Sequence, residues 1–178
     1  MIEDGRYRLY QGDCLEVMDG LISLGVKFNA IITDPPYGIT TYKWDNIIPL
    51  DEMWLRLNKL IKPNGAIVLF GSEPFSSALR MSNIKNYKYD WYWNKNNSGN
   101  ILCVKYMPLK VIENICIFSN GKCEYIPQMV ERTEKEEKEF ISKRGKNYTI
   151  KKVICFQELK VVLLFKHQAL NINIQSIC

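Results

Sequence analysis

Up to about residue 120 the apolar positions alternate between short continuous runs and helical spacings, the pattern of a largely parallel sheet with helices packed on it. Residues 8–11 predict a short strand. Asp13-Cys14-Leu15-Glu16 then resembles a capping box and opens a helix whose apolar side is Leu15, Met18, Leu21 and Ile22. Residues 28–33 form a nearly unbroken apolar run with β-branched members, as expected of a strand covered on both faces. That run ends in Asp34-Pro35-Pro36-Tyr37. After a loop containing Trp44 and Asp45, residues 51–62 place Met53, Trp54, Leu57, Leu60 and Ile61 on one helical face, and Pro63-Asn64-Gly65 predicts its stop. Residues 66–70 predict the next buried strand, and Gly71-Ser72-Glu73-Pro74 another helix start. Residues 87–93 and 111–118 add two strands. The predicted class is α/β.

From Gly121 the pattern dissolves. Glutamates 131, 134, 136, 137 and 139 mix with Arg132, Lys135 and Lys138, and a basic run follows through Lys143, Arg144, Lys146, Lys151 and Lys152. The organisation read from this is a 1–129 catalytic part, a charged segment at 130–152, and a divergent tail at 153–178 to which no architecture is assigned. The chain of 178 residues carries 24 Lys and Arg against 19 Asp and Glu, a formal charge of +5 that suits an anionic partner. Six cysteines are never two residues apart, which removes zinc ribbons and thioredoxin-type pairs and reads as free thiols. The single histidine, His167, leaves little basis for a Ser-His-Asp triad or a His-rich metal site, so no metal is expected. The longest apolar runs, 66–70 and 161–165, are about a quarter of the ~20 residues a membrane span needs. No signal-peptide pattern opens the chain, so a cytoplasmic protein without a membrane partner is expected.

Asp34-Pro35-Pro36-Tyr37 falls where open α/β sheets take their ligands, at the carboxyl end of a buried strand. Two prolines fix φ, remove two N–H donors and keep the chain out of helix, which leaves the Pro35 carbonyl available as an acceptor. A carboxylate beside a carbonyl is an acceptor-only clamp for an NH2 group. Held by both hydrogens, an exocyclic amine has its nitrogen lone pair drawn out of conjugation and turned toward an electrophile, while the Tyr37 ring stacks on the base that bears it. The competing structural reading is a capped, stiffened turn with Tyr37 packed on the core.

The stretches Gln11-Gly12-Asp13-Cys14-Leu15-Glu16-Val17-Met18, Ile31-Ile32-Thr33-Asp34-Pro35-Pro36-Tyr37-Gly38, Lys62-Pro63-Asn64-Gly65-Ala66 with Leu69-Phe70-Gly71-Ser72-Glu73-Pro74-Phe75, Tyr92-Trp93-Asn94-Lys95 and Glu113-Asn114-Ile115 follow one another in a recognisable order. Across roughly two-thirds of the chain they resemble the N-6 adenine and N-4 cytosine DNA methyltransferases of the permuted, beta order. The resemblance implies an incomplete Rossmann-like sheet with helices on both faces, S-adenosylmethionine as cofactor and double-stranded DNA as partner, as in restriction–modification enzymes. It implies methyl transfer to the amine of a flipped base, with Asp at position 34 favouring adenine N6 over cytosine N4. Residue by residue, Asp34, Pro35, Pro36 and Tyr37 match the catalytic motif, and Asp13 with Cys14 the motif against the adenine end of the cofactor. Trp93, Asn94 and Lys95 match a segment near the flipped base. Lys143, Arg144 and Lys146 lie where such enzymes contact DNA.

The departures are as specific. The family's glycine-rich cofactor loop, expected after the catalytic motif, does not occur, and glycine is absent after Gly145. The expectation is therefore a catalytic half, inactive or nearly so by itself, with an exposed sheet edge and a tail that reads as frame-shifted or strongly diverged. The alternatives are a non-catalytic DNA-binding remnant and one half of a split enzyme completed by a second chain that supplies the loop. Ribosomal RNA and protein-glutamine methyltransferases share related motifs, but they place the glycine-rich loop upstream, where this chain has no room for it.

Overall fold

A computed structural model describes residues 2–4, 7–95, 97, 99–123, 125, 138–139, 142, 159–165 and 168–174. The chain divides into two units, Met1–Glu124 with Glu158–Cys178, and Tyr125–Gln157. In the second, the described residues are Tyr125 and the helical residues Lys138, Glu139 and Ser142, all exposed. Lys143, Arg144 and Lys146 lie outside the described residues.

The first unit is built from strands β1 (Ile2–Asp4), β2 (Tyr7–Gln11), β3 (Phe28–Thr33), β4 (Ile61–Gly71), β5 (Tyr87–Asn94), β6 (Ile112–Phe118), β7 (Leu159–Phe165) and β8 (Gln168–Ile174). Its α-helices are α1 (Cys14–Ser23), α2 (Leu50–Leu60) and α3 (Phe75–Ser82). The strands form one eight-stranded mixed sheet in the order β1-β2-β8-β7-β3-β4-β6-β5. At its centre β3 is parallel to both β4 and β7, and antiparallel pairs flank this core on either side.

Helix α1 starts because Asp13, extended at the N-cap, accepts hydrogen bonds from Leu15 N at 2.8 Å and Glu16 N at 3.4 Å. Its Met18 and Leu21 join Met53, Trp54, Leu57 and Leu60 of α2 and Phe75 and Leu79 of α3 in a single core against Ile31, Ile67, Leu69, Cys116 and Phe118 of the sheet. Arg56 ties α2 to α1 through Asp19, at 2.9 Å and 2.8 Å, and the Trp54 indole donates to Ser82 Oγ at 2.7 Å on α3. Phe118 meets Trp54 and Tyr87 at ring-centroid separations of 4.7 and 5.7 Å.

Three features differ from the sequence expectation. Helix α2 ends at Leu60, and β4 begins at Ile61 rather than after Pro63-Asn64-Gly65. The Cα partners step from Phe28↔Ile61 to Ala30↔Ala66, so residues 62–65 bulge out of the ladder, where proline's missing N–H is tolerated. Gly65 is needed there, because a Cβ would stand 2.7 Å from the Asn29 carbonyl oxygen. Secondly, the described helices of this unit, α1, α2 and α3, share one core on one face, where the expectation was of helices on both. The crossovers that place them run one way along the sheet, and β7 joins β8 by a hairpin instead of a crossover helix. Thirdly, the tail enters the middle of the sheet: Val162 pairs with Ile31 on one side and Asn171 on the other.

Candidate functional site

The register brings several loops to one end of the sheet. Thr33 is level with Leu69 of β4 and Leu164 of β7, Phe165 with Gln168, and Gln168 with Gln11 at the end of β2. On the other side Gly71 is level with Asn114, and Trp93 with Glu113. The segments after β2, β3 and β4, the end of β5 and the start of β6 therefore share an edge. That edge carries Asp13, Asp34 to Tyr37, Glu73, Lys95 and Glu113.

Asp34 stands just past the last residue of β3 and is exposed, while Pro35 and Pro36 behind it are buried. The Tyr37 hydroxyl donates to Asp34 Oδ1, and the Tyr37 ring stacks on Phe75 with centroids 5.3 Å apart and planes 26° apart. Solvent reaches Asp34, yet the surrounding walls desolvate its carboxyl, and this burial raises its pKa from the ordinary value. The Tyr37 hydrogen bond works in the opposite direction, Glu113 adds to the rise, and Lys95 counters it. Burial, then the Asp34 bond, also push the Tyr37 phenol well above its usual range, so it is a fixed donor.

Lys95 and Glu113 form an ion pair beside this motif, and the ammonium lies 5.8 Å from the centre of the Trp93 ring. The Lys95 N–H donates to the Val111 carbonyl at 2.7 Å, extending the β5–β6 pair by one step. The Phe70 and Trp93 rings meet edge-on at 6.2 Å. Of the residues singled out in the sequence, Tyr37 and Lys95 thus both act on Asp34 electrostatically, with Trp93 and Asn94 on the strand that leads to Lys95. Glu113 and Phe75 complete the group, although sequence reasoning gave neither a site role. Their signal was present only in their motif stretches, because bringing Glu113 near Asp34 and Phe75 onto Tyr37 requires the β3–β4–β6 order.

Glu73 is absorbed by structure. Its carboxylate accepts from Ser77 N at 3.1 Å, Ser77 Oγ at 2.6 Å, Arg80 at 3.1 Å and Asn114 at 3.2 Å. Burial opposes its ionisation, but the hydrogen bonds from Ser77, Ser76 and Arg80 outweigh it and lower its pKa to about 2. It caps α3 and anchors the wall that carries Phe75. Asp13 stands at the shared edge, three strand spacings from Asp34 or ~14 Å, with its carboxylate engaged on α1, and Cys14 is buried. Asp13→Ala is expected to lower stability by about 1 kcal/mol, read from the urea midpoint at constant slope. An unchanged midpoint would mean that Asp13 does not cap the helix in solution. Among the described residues, no group of three His, Cys, Asp or Glu is placed to hold a metal ion, and no described helix is long and apolar enough to cross a membrane.

No protein-family profile matches the chain, and no curated protein matches it in sequence. Solved structures do match. The complex of M1.HpyAVI, a DNA methyltransferase, with SAM is 25% identical, with a TM-score of 0.52 over 70% of this chain and 62% of that one. A second crystal structure of M1.HpyAVI is 22% identical, with a TM-score of 0.56 over 88% of this chain and 78% of that one. The cytosine-N4-specific PvuII DNA methyltransferase is 18% identical, with a TM-score of 0.45 over 64% and 49%. The chain spans 62% of the length of the SAM-bound structure. Its mixed sheet and helices have the α/β fold of S-adenosylmethionine-dependent methyltransferases.

Proposed function

We propose that the chain is a DNA methyltransferase that transfers a methyl group from S-adenosylmethionine to the exocyclic amine of a base, with adenine N6 as the target. The observation that carries this reading is the exposed Asp34 carboxylate at the end of β3, oriented by Tyr37 and backed by two buried prolines. The Asp34 carboxylate accepts a hydrogen bond from the amine, which turns the nitrogen lone pair out of the base plane. Tyr37, fixed against Phe75, keeps that carboxylate in one orientation. As the N–C bond forms the amine becomes acidic, and a carboxylate whose proton affinity is raised by burial is suited to take the departing proton.

The residues present fit the reacting end of the cofactor, which would supply an electrophilic methyl group. Asp34 and Tyr37 border the edge above adjacent parallel strands β3 and β7, where α/β sheets take nucleotide-like ligands, and Asp13 lies further along it. A second reading, a cofactor site completed by another chain, is favoured by one observation: Phe165 of β7 is level with Gln168 of β8, and the two residues between them in the sequence, Lys166 and His167, include no glycine. Calorimetric titration with S-adenosylmethionine, together with transfer of labelled methyl groups to duplex DNA, separates the two. Micromolar binding and turnover by the chain alone support a self-sufficient enzyme. Binding only after a complementing chain is added supports the split form, and transfer in neither case removes both readings.

The electrostatics predict a pH signature. Activity falls as pH drops through the raised pKa of Asp34, since the protonated carboxyl no longer accepts from both directions. Glu113→Gln removes an anion that raises this pKa, so the acidic limb of kcat/KM moves to lower pH. Lys95→Met removes a cation that lowers it, so the limb moves to higher pH. Profiles of both variants that shift in the same direction, or not at all, would show that Asp34 is not the group being titrated.

A further inference from the structure

The loop directly after the Asp34 motif is an ordered turn that presents an aromatic pair outward. Asp45 is 5% exposed, and its carboxylate accepts from Gly38 N at 2.9 Å, Thr40 N at 2.7 Å and Thr40 Oγ1 at 2.7 Å. These bonds, that from the Thr40 hydroxyl first, hold its pKa at about 2 despite the opposing desolvation, so the clasp persists at every working pH. Gly38 has φ +69°, and a Cβ there would stand 2.9 Å from Ile47 Cγ1, so the turn requires glycine. Asp45 N–H donates to the Tyr42 carbonyl at 3.0 Å, closing the far side of the turn.

On this frame Tyr42 and Trp44 stack with centroids 5.6 Å apart and planes 12° apart, and they remain 65% and 53% exposed. Lys43, exposed between them, adds a cation beside the rings. Large exposed aromatics on a deliberately fixed loop, flanked by positive charge and one turn away from Asp34, match the requirements of a nucleobase-stacking platform on an anionic strand. We infer that Tyr42 and Trp44, held by the Asp45 clasp, stack an unpaired nucleobase of the DNA strand next to the base being methylated. The inference rests on the DNA methyltransferase reading above, and Asp45 acts in it as a positioning residue.

The test compares the full chain and its Tyr42→Ala/Trp44→Ala variant in binding two fluorescein-labelled 12-mers by anisotropy. One is oligothymidylate, and the other has the same phosphates but an abasic residue at every position. The wild type is expected to favour the thymidylate by about tenfold or more. The variant should lose that preference while its affinity for the abasic strand, carried by phosphate contacts, stays within about twofold. The unchanged abasic affinity also reports that the variant is folded, as expected for two exposed side chains. A preference that survives in the variant overturns the platform and leaves the methyltransferase reading standing. Failure of the wild type to bind either strand also overturns the platform, while the methyltransferase reading stands or falls separately on transfer of labelled methyl groups to duplex DNA.

Discussion

Replacing Asp34 with alanine is expected to lower kcat for methyl transfer by about a thousandfold, the loss typical of one preorganised polar group acting at the reacting centre, while Kd for duplex DNA stays within about twofold. The two readouts separate because the carboxylate acts on the amine, whereas sequence-independent affinity comes from phosphate contacts, which an acidic residue opposes. Stability should not fall with activity. Burial raises the pKa of Asp34 in the folded state above its unfolded value, so at neutral pH the ionised group opposes folding, and this cost fades only as pH falls through the folded pKa. Removing it leaves the Tyr37 hydroxyl, on a half-buried residue, to solvent, and the melting temperature is expected to stay level or rise slightly. Asp34→Asn keeps one acceptor oxygen and should lose less activity than the alanine variant. The assay follows labelled methyl groups into duplex DNA, with the complementing chain added if titration shows that one is required. Full activity in Asp34→Ala would remove the carboxylate from the mechanism.

Much of the first unit was legible because its information is local. The nearly unbroken run at 28–33 is β3 to the residue, and the spacing of Met53, Trp54, Leu57 and Leu60 describes the buried side of α2. The position of Asp34 past a strand end follows from the apolar run and the prolines together. Glu113 and Phe75 could not be placed this way. They reach Asp34 and Tyr37 only through pairings and crossovers between elements far apart in sequence, which periodicity does not encode. The clasp of Asp45 on Gly38 and Thr40 is similar in kind. Asp45 was visible as a loop residue, but only the turn's backbone geometry shows why it is buried. For the tail a local signal did exist. Leu170, Ile172 and Ile174 alternate with Asn171 and Asn173, a period-two pattern that predicts a strand beside the apolar run at 161–165. The interruption by Lys166 and His167 lacks the usual turn residues, which hid the hairpin.

That hairpin carries the other large expected effect. Val162→Pro is expected to destabilise the fold by about 3 kcal/mol or more, a large share of the ~5–15 kcal/mol by which domains of this size are stable. Strand β7 has a neighbour on each side: β3 pairs with it through Ile31↔Val162, and β8 through Val162↔Asn171. Whichever way the Val162 N–H points, proline removes a ladder bond, and its ring cannot be accommodated at an edge because β7 has none. The damage extends beyond one bond, because among the described strands β7 and β8 alone stand between β1–β2 and the β3–β4–β6–β5 core. Losing β7 therefore detaches the strand that leads into Asp13 and α1, and it opens a long apolar edge on β3 beside Asp34. The expected observations are a lower urea midpoint, loss of amide protection in both β3 and β2, and aggregation on warming. A Val162→Pro variant with wild-type midpoint and protection would show that residues 159–174 do not enter the sheet in solution, leaving β3 with β4 as its sole partner.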